Sequence, residues 1–301
     1  MSAHRYLGLD LGGTNVKTVV LEAVGNDYRI VASSTAPTHA DRGPSAVVDR
    51  LLELGRGAIA DHGPVERAGL GIPGLFDPVV GVGVMLPNLP GPWEGIALTT
   101  PLSEGLGAPV TLVNDARAFT LAEGRMGAGR GAGTLIGMTL GTGVGGGILI
   151  DGKLHLGAWG RAGEIGHQTV LPDGPVCGCG NRGCVEAVAK AGELARLGGR
   201  ARAEEVFAGV REGDPQCREA VETVAAYLGI GLANLVTVLG PDRIVVGGGI
   251  VAAGDLVLDP IRAAIRQRVT LVPADEVQVV AASLGPAAGS IGAALAAVDN
   301  L

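Results

Sequence analysis

The chain breaks apolar runs at glycine-rich turns, and two of these breaks open two halves built on one plan. Tyr6–Leu11 ends in Gly12-Gly13-Thr14 and resumes as Val16–Ala23, while Thr134–Leu140 ends in Gly141-Thr142-Gly143 and resumes as Val144–Ile150. An apolar run, a tight turn and a second apolar run form a hairpin pattern, so each half should open with antiparallel strands. Arg29–Ser34 adds a third strand, and Asp151-Gly152 is a further hairpin turn. Helical periodicity then alternates with short apolar runs. Residues 45–60 carry Val47, Val48, Leu51, Leu52, Leu54 and Ile59, and 117–126, 186–197, 218–239, 255–268 and 287–298 also read as helices. Ala68–Ile72, Val110–Val113, Arg243–Val246 and Val277–Ala281 read as strands. This is an α/β plan used twice. The expected domains are 1–116, completed by the C-terminal helix 287–301, and 117–286, with a hinge near 115–117.

Glycine supplies 52 of 301 residues, more than twice the usual share of about 7%. No G-X-Y period is present, so these glycines belong to turns and close backbone approaches. The net charge of −7, without any basic run and with only Lys17, Lys153 and Lys190 as lysines, speaks against nucleic acid as a partner. Two uncharged stretches, 131–150 and 277–298, are too interrupted by glycine and Pro286 to read as membrane spans. Asp10 inside the first apolar run speaks against a secretory signal, so a cytoplasmic protein with no membrane partner is expected.

Three of the four cysteines, Cys177, Cys179 and Cys184, fall within eight residues, and His167 lies ten positions upstream. Three readings compete: buried thiols, a disulfide, or a tetrahedral Cys₃His zinc site. The glycines and polar residues around the cluster disfavour a packed core, and a large, cysteine-poor chain disfavours a disulfide. The C-x-C-x₄-C spacing differs from that of nucleic-acid zinc fingers. Four protein ligands leave no open position, so such a zinc would be structural. Cys217 stands apart in an expected helix.

The turns at Gly12, Gly141 and Gly247-Gly248-Gly249 each follow a strand. Any one is an ordinary turn as readily as a ligand cradle. Together, with Thr14 and Thr142 as hydroxyl donors and Asp10 as a carboxylate suited to Mg²⁺, they favour a nucleotide. There is no G-x-x-x-x-G-K-[ST], and the G-x-G-x-x-G at Gly141–Gly146 precedes a strand where a dinucleotide fold needs a helix.

Asp10-Leu-Gly-Gly-Thr14, Gly71-Ile-Pro-Gly74, Asn88-Leu-Pro-Gly91, Asn114-Asp115, Gly141-Thr-Gly143, Glu164-Ile-Gly-His167, the Cys177–Glu186 cluster and Gly247-Gly-Gly249 occur in order over nearly the whole chain. This set resembles the ROK family of sugar kinases, most closely its bacterial glucokinases. The resemblance implies a two-domain actin/hexokinase-like ATPase (ribonuclease H-like) fold around a cleft, with a zinc-binding loop. It implies ATP with Mg²⁺ against Asp10, Gly12, Gly13, Thr14, Gly141, Thr142, Gly143, Gly247, Gly248 and Gly249. It implies Asp115 as catalytic base and Pro73, Gly74, Asn88, Asn114, Asp115, Glu164, His167 and Glu186 around the sugar. It implies structural Zn²⁺ on His167, Cys177, Cys179 and Cys184, and a homodimer or homotetramer.

Glucose is the first acceptor such a set suggests. N-acetylmannosamine, N-acetylglucosamine, fructose or a cyclitol are alternatives, and a non-catalytic sugar sensor is a third. Repressor relatives carry an N-terminal helix-turn-helix, and here the first phosphate turn begins at residue 10. Arg117 stands where the family pattern Asn-Asp-Ala-Asn-Ala has its second Asn, which bears on acceptor choice and not on kinase chemistry.

Overall fold

The computed structural model describes residues 4–25, 27–158 and 160–301. The chain forms two compact units, Met1–Ala122 with Leu284–Leu301, and Glu123–Ser283. The division falls after Ala122, inside a helix, and after Ser283, a few residues from the positions expected from sequence.

The first unit runs β1 (Arg5–Leu11), β2 (Asn15–Val24), β3 (Asp27–Pro37), α1 (Pro44–His62), β4 (Arg67–Ile72), β5 (Leu75–Asp77), β6 (Val82–Met85), α2 (Thr99–Leu106), β7 (Val110–Asn114) and α3 (Asp115–Met126). Its main sheet has the order β3-β2-β1-β4-β7. The short turn at Gly12–Thr14 makes β1 and β2 antiparallel, as is β3 against β2. β4 and β7 are parallel to β1 and to each other, because longer crossovers carrying α1 and α2 intervene. α1 starts with Pro44 in its first turn and buries Val47, Val48 and Leu51 against Leu7, Leu9, Leu70 and Leu102. The C-terminal helix Ala288–Asp299 also belongs to this unit. It comes so close to the sheet that a Cβ on Gly8 or Gly69 would overlap the backbone of Ser290 or Ala293. Ile291 and Leu295 there are fully buried.

The second unit repeats the pattern with β8 (Thr134–Leu140), β9 (Val144–Ile150), β10 (Lys153–Leu154), α4 (Val185–Ala189), α5 (Ala191–Leu197), α6 (Ala203–Glu212), α7 (Pro215–Leu239), β11 (Arg243–Gly247), α8 (Asp255–Arg266) and β12 (Gln278–Ala281). Its sheet order is β10-β9-β8-β11-β12, again with an antiparallel pair feeding parallel strands. Asp151 and Gly152 both take positive φ, 51° and 73°, the hairpin turn read from the sequence. α7 starts on Asp214, whose carboxylate accepts from the Gln216 and Cys217 N–H groups, and stops at Gly240 with φ 55°. It is long and apolar enough to cross a membrane, yet Val221, Val224, Leu228, Leu232 and Val236 lie in this unit's core.

The structure differs from the sequence expectation in three places. The helix expected over 186–197 is two, α4 and α5, because Lys190 is extended at ψ 163°. α2, rich in Thr, Pro and Gly, and α6 lie outside the expected helices, although Ala203, Val206, Phe207 and Val210 give α6 a helical apolar period. The small hairpin β5–β6 is too short for periodicity to reveal.

Candidate active site and metal centre

The metal-ligand candidates converge. Ligand atoms of His167, Cys177, Cys179 and Cys184 all lie within 4.8 Å of one another. Cys177 Sγ is 3.6 Å from His167 Nδ1, and Cys179 Sγ is 3.8 Å from Cys184 Sγ. A tetrahedral zinc with Zn–S of about 2.3 Å and Zn–N of about 2.05 Å requires edges of about 3.8 Å between sulfurs and about 3.6 Å from sulfur to nitrogen. The donor set therefore fits such an ion. Burial pushes the Cys177 thiol up to about 12, and burial raises Cys184 as well, whereas the Asn181 backbone N–H first of all lowers Cys179. The loop is held by its own backbone: Cys177 N–H donates to the Asn181 carbonyl at 2.7 Å and Gly180 N–H to the Cys177 carbonyl at 3.0 Å. Asn181 Nδ2 donates to Thr169 Oγ1 at 2.9 Å and lies 3.4 Å from Cys184 Sγ. With Nδ1 facing the cluster, His167 keeps Nε2 for a second partner.

The segment Ile165–His167 is a 3-10 turn with exposed Glu164 at its start, so Glu164 and His167 sit i and i+3 on a tight turn and not on an α-helix. Glu186, in the first turn of α4, sends Oε2 to the Val144 N–H at 3.0 Å and Oε1 to within 3.6 Å of Cys177 Sγ. A Cβ on Gly143 would lie 2.5 Å from Glu186 Oε2. The turn Gly141–Gly143 thus rests on Glu186. Its Thr142 is exposed, and a Cβ on Gly141 would meet nothing within 4 Å, so one side of the turn is open to a ligand. Gly248, with φ 94°, packs so closely on the Leu140 carbonyl that a side chain would overlap it. Gly247 is buried at the end of β11, and Gly249 faces open space. Two of the three glycine turns therefore adjoin within this unit.

In the first unit, Gly12–Thr14 is held from two sides. Thr38, fully buried, donates its hydroxyl to the Gly12 carbonyl at 2.7 Å, and its N–H donates to the Thr14 carbonyl at 2.9 Å. A Cβ on Gly13 would lie 2.5 Å from the Asn88 carbonyl oxygen, so the turn packs against the Asn88 backbone, while the exposed Asn88 lies on the same loop as Pro90 and Gly91. Asp10 pairs across the hairpin with Lys17, whose Nζ is 3.3 Å from Oδ2. Burial raises the Asp10 carboxyl above its ordinary range, and Lys17 pulls it partly back. The Cα of Gly289 approaches so closely that a Cβ there would lie 2.5 Å from Asp10 Oδ2.

Asn114 and Asp115 join β7 to α3. Asn114 Oδ1 accepts from the Ala116 and Arg117 N–H groups at 3.1 and 3.3 Å, capping the helix, and its Nδ2 donates to the Gly74 carbonyl at 3.4 Å. One side chain thus fixes both the start of α3 and the Pro73-Gly74 turn. Asp115 Oδ1 accepts from the Ala116 N–H at 2.8 Å.

A profile of the ROK family matches residues 6–300. The chain belongs to the ROK family. It is 34% identical to a glucokinase of Halalkalibacterium halodurans, over 97% of this chain and 94% of that one. A ROK hexokinase of Thermus thermophilus matches its fold with a TM-score of 0.85, at 34% identity and 98% coverage of both chains. A ROK family glucokinase of Streptomyces griseus, solved in complex with glucose and AMPPNP, matches with a TM-score of 0.81, at 33% identity over 99% of this chain and 100% of that one. The ROK chain here is thus an α/β protein of the hexokinase-like fold, and it is a sugar kinase.

Against the ROK pattern, Arg117 is the departure, and it is buried, with 6% exposure. Sequence reasoning missed Thr38, Lys17 and Glu123. A hairpin closed at Gly12–Thr14 places residue 17 opposite residue 10, so Lys17 was readable from the turn. Nothing local marks Thr38 or the fully buried Glu123, which accepts from the Ala128 N–H at 2.8 Å and the Ser283 N–H at 3.0 Å.

Proposed function

We propose that this chain is an ATP-dependent glucokinase that transfers the γ-phosphoryl group of ATP to glucose, giving glucose 6-phosphate and ADP. The observation that carries the reading is likeness along the whole length to glucokinases, including one solved with glucose and an ATP analogue. The turns Gly12–Thr14, Gly141–Gly143 and Gly247–Gly249 hold the nucleotide phosphates through backbone N–H groups and the Thr14 and Thr142 hydroxyls. Asp10, a largely buried carboxylate, is the oxygen donor suited to hold Mg²⁺ directly or through water, and that ion when bound neutralises phosphate charge.

Asp115 accepts the proton of the sugar hydroxyl as its oxygen attacks the γ-phosphorus and the bond to ADP breaks. Asn114 orients Asp115 and the Pro73-Gly74 turn, and Asn88 contributes an amide to the acceptor. Glu164, Glu186 and His167 Nε2 bind vicinal sugar hydroxyls. His167, Cys177, Cys179 and Cys184 would hold a zinc ion, which would supply a structural cross-link near Glu164 and Glu186.

The test is Asp115→Asn, which keeps shape and hydrogen bonding but cannot take a proton. Sugar affinity by calorimetry should stay near the parent's while turnover falls by about 10²–10⁴-fold. Near-parent turnover in the folded variant would remove Asp115 from this role.

A further inference from the structure

Val144 directly follows the Gly141–Gly143 turn and is gripped by two segments, each adjoining a metal-ligating residue. On one side its N–H donates to Glu186 Oε2 at 3.0 Å, two residues after Cys184. On the other, its carbonyl oxygen lies against Gly166, one residue before His167, so closely that a Cβ there would overlap it. Glu186 Oε1 in turn sits 3.6 Å from Cys177 Sγ. The turn is anchored again where the Ala191 N–H, just beyond α4, donates to the Gly141 carbonyl at 2.9 Å.

Both jaws are short elements. One is a three-residue 3-10 turn without a side-chain cap, and the other is the first turn of the five-residue α4, entered from the loop 168–184 with its isolated bridges. The Val185 N–H donates to the Gln168 carbonyl at 2.9 Å between them, and a metal shared by His167 and the cysteines would add a cross-link at the same junction.

We propose that this cross-link clamps Val144 and thereby holds the Gly141–Gly143 turn in its phosphate-binding shape, so that the metal supports nucleotide affinity even without sugar. The inference rests on the reading of Gly141–Gly143 as a nucleotide turn. Backbone N–H groups bind phosphate tightly only when already aligned; a turn that must be ordered on binding loses affinity. A metal that shaped the sugar pocket alone would leave sugar-free nucleotide binding untouched.

The experiment compares the full chain loaded with zinc and the same chain stripped by a chelator that is then dialysed away, each titrated with Mg²⁺ and a non-hydrolysable ATP analogue without sugar. The stripped protein should bind about tenfold or more weakly, and added zinc should restore the parent value. Amide exchange over 141–146 should speed up on stripping, while β11 stays protected. A second variant, Gly166→Ala, should weaken the nucleotide in the same direction with its zinc content unchanged, and this arm decides if stripping unfolds the chain. Equal nucleotide affinity with and without zinc in folded protein overturns the clamp, as does an unaffected Gly166→Ala variant. Failure of the zinc-loaded parent to bind the analogue would instead refute the nucleotide reading, and the clamp with it.

Discussion

Thr38→Val tests whether the first phosphate turn is built from outside its own sequence. The substitution keeps volume and branching but replaces the hydroxyl that donates to the Gly12 carbonyl at 2.7 Å from a fully buried position. The backbone bond from the Thr38 N–H to the Thr14 carbonyl survives. What remains is a carbonyl without its donor, which costs about 1–3 kcal/mol. At about 2–4 °C per kcal/mol for a unit of this size, melting should fall by about 2–12 °C. If the turn relaxes to relieve that loss, nucleotide binding must re-form it, which weakens affinity by about fivefold to a hundredfold. Thr38→Ser should recover most of both losses. Scanning calorimetry and an ATP-analogue titration give the two numbers. A valine variant that melts and binds like the parent would show that the turn needs no support from Thr38.

Asp10→Asn should abolish most turnover, by about 10²-fold or more, while leaving the fold as stable as the parent or more so at neutral pH. The sign follows from the raised Asp10 carboxyl: the folded state holds that proton more tightly than the unfolded chain, so ionisation costs stability as pH climbs through the raised value. The parent's deficit against the variant should therefore appear above the ordinary carboxylate range and vanish at more acidic pH in denaturant titrations. A variant that is less stable at pH 7 would contradict this. Glu123→Ala should cost about 2–5 kcal/mol by the same measurement, because it strips the acceptor from the Ala128 and Ser283 N–H groups in a buried place; a loss below about 1 kcal/mol would mean that water replaces the carboxylate.

The parts legible in the sequence are those set by neighbours in the chain. The Gly12 and Asp151-Gly152 turns announce their hairpins, and α7 carries its own cap in Asp214, its first-turn Pro215 and its stop in Gly240. The four metal-ligand candidates were readable because cysteine and histidine are chemically conspicuous. What stayed hidden depends on contacts across long separations. Nothing near Thr38 marks it as the partner of Gly12, 26 residues away. Glu186 gives no local sign that it will accept from Val144, 42 residues earlier. The break at Lys190 is likewise invisible to periodicity, since the Ala191 N–H leaves the helix ladder to bind the Gly141 carbonyl. In each case a backbone group in or next to a glycine turn is satisfied from elsewhere in its unit, so the turns are legible as turns while their supports are not.

The most direct measurement is ADP release by the purified, zinc-loaded chain with Mg²⁺ and ATP over a panel of glucose, fructose, N-acetylglucosamine, N-acetylmannosamine and cyclitols, with the phosphorylated product identified. The account predicts one ADP per glucose 6-phosphate, with glucose the best acceptor. A chain that binds ATP and releases no ADP with any sugar, or that turns over an acetylated hexosamine far faster than glucose, would contradict it.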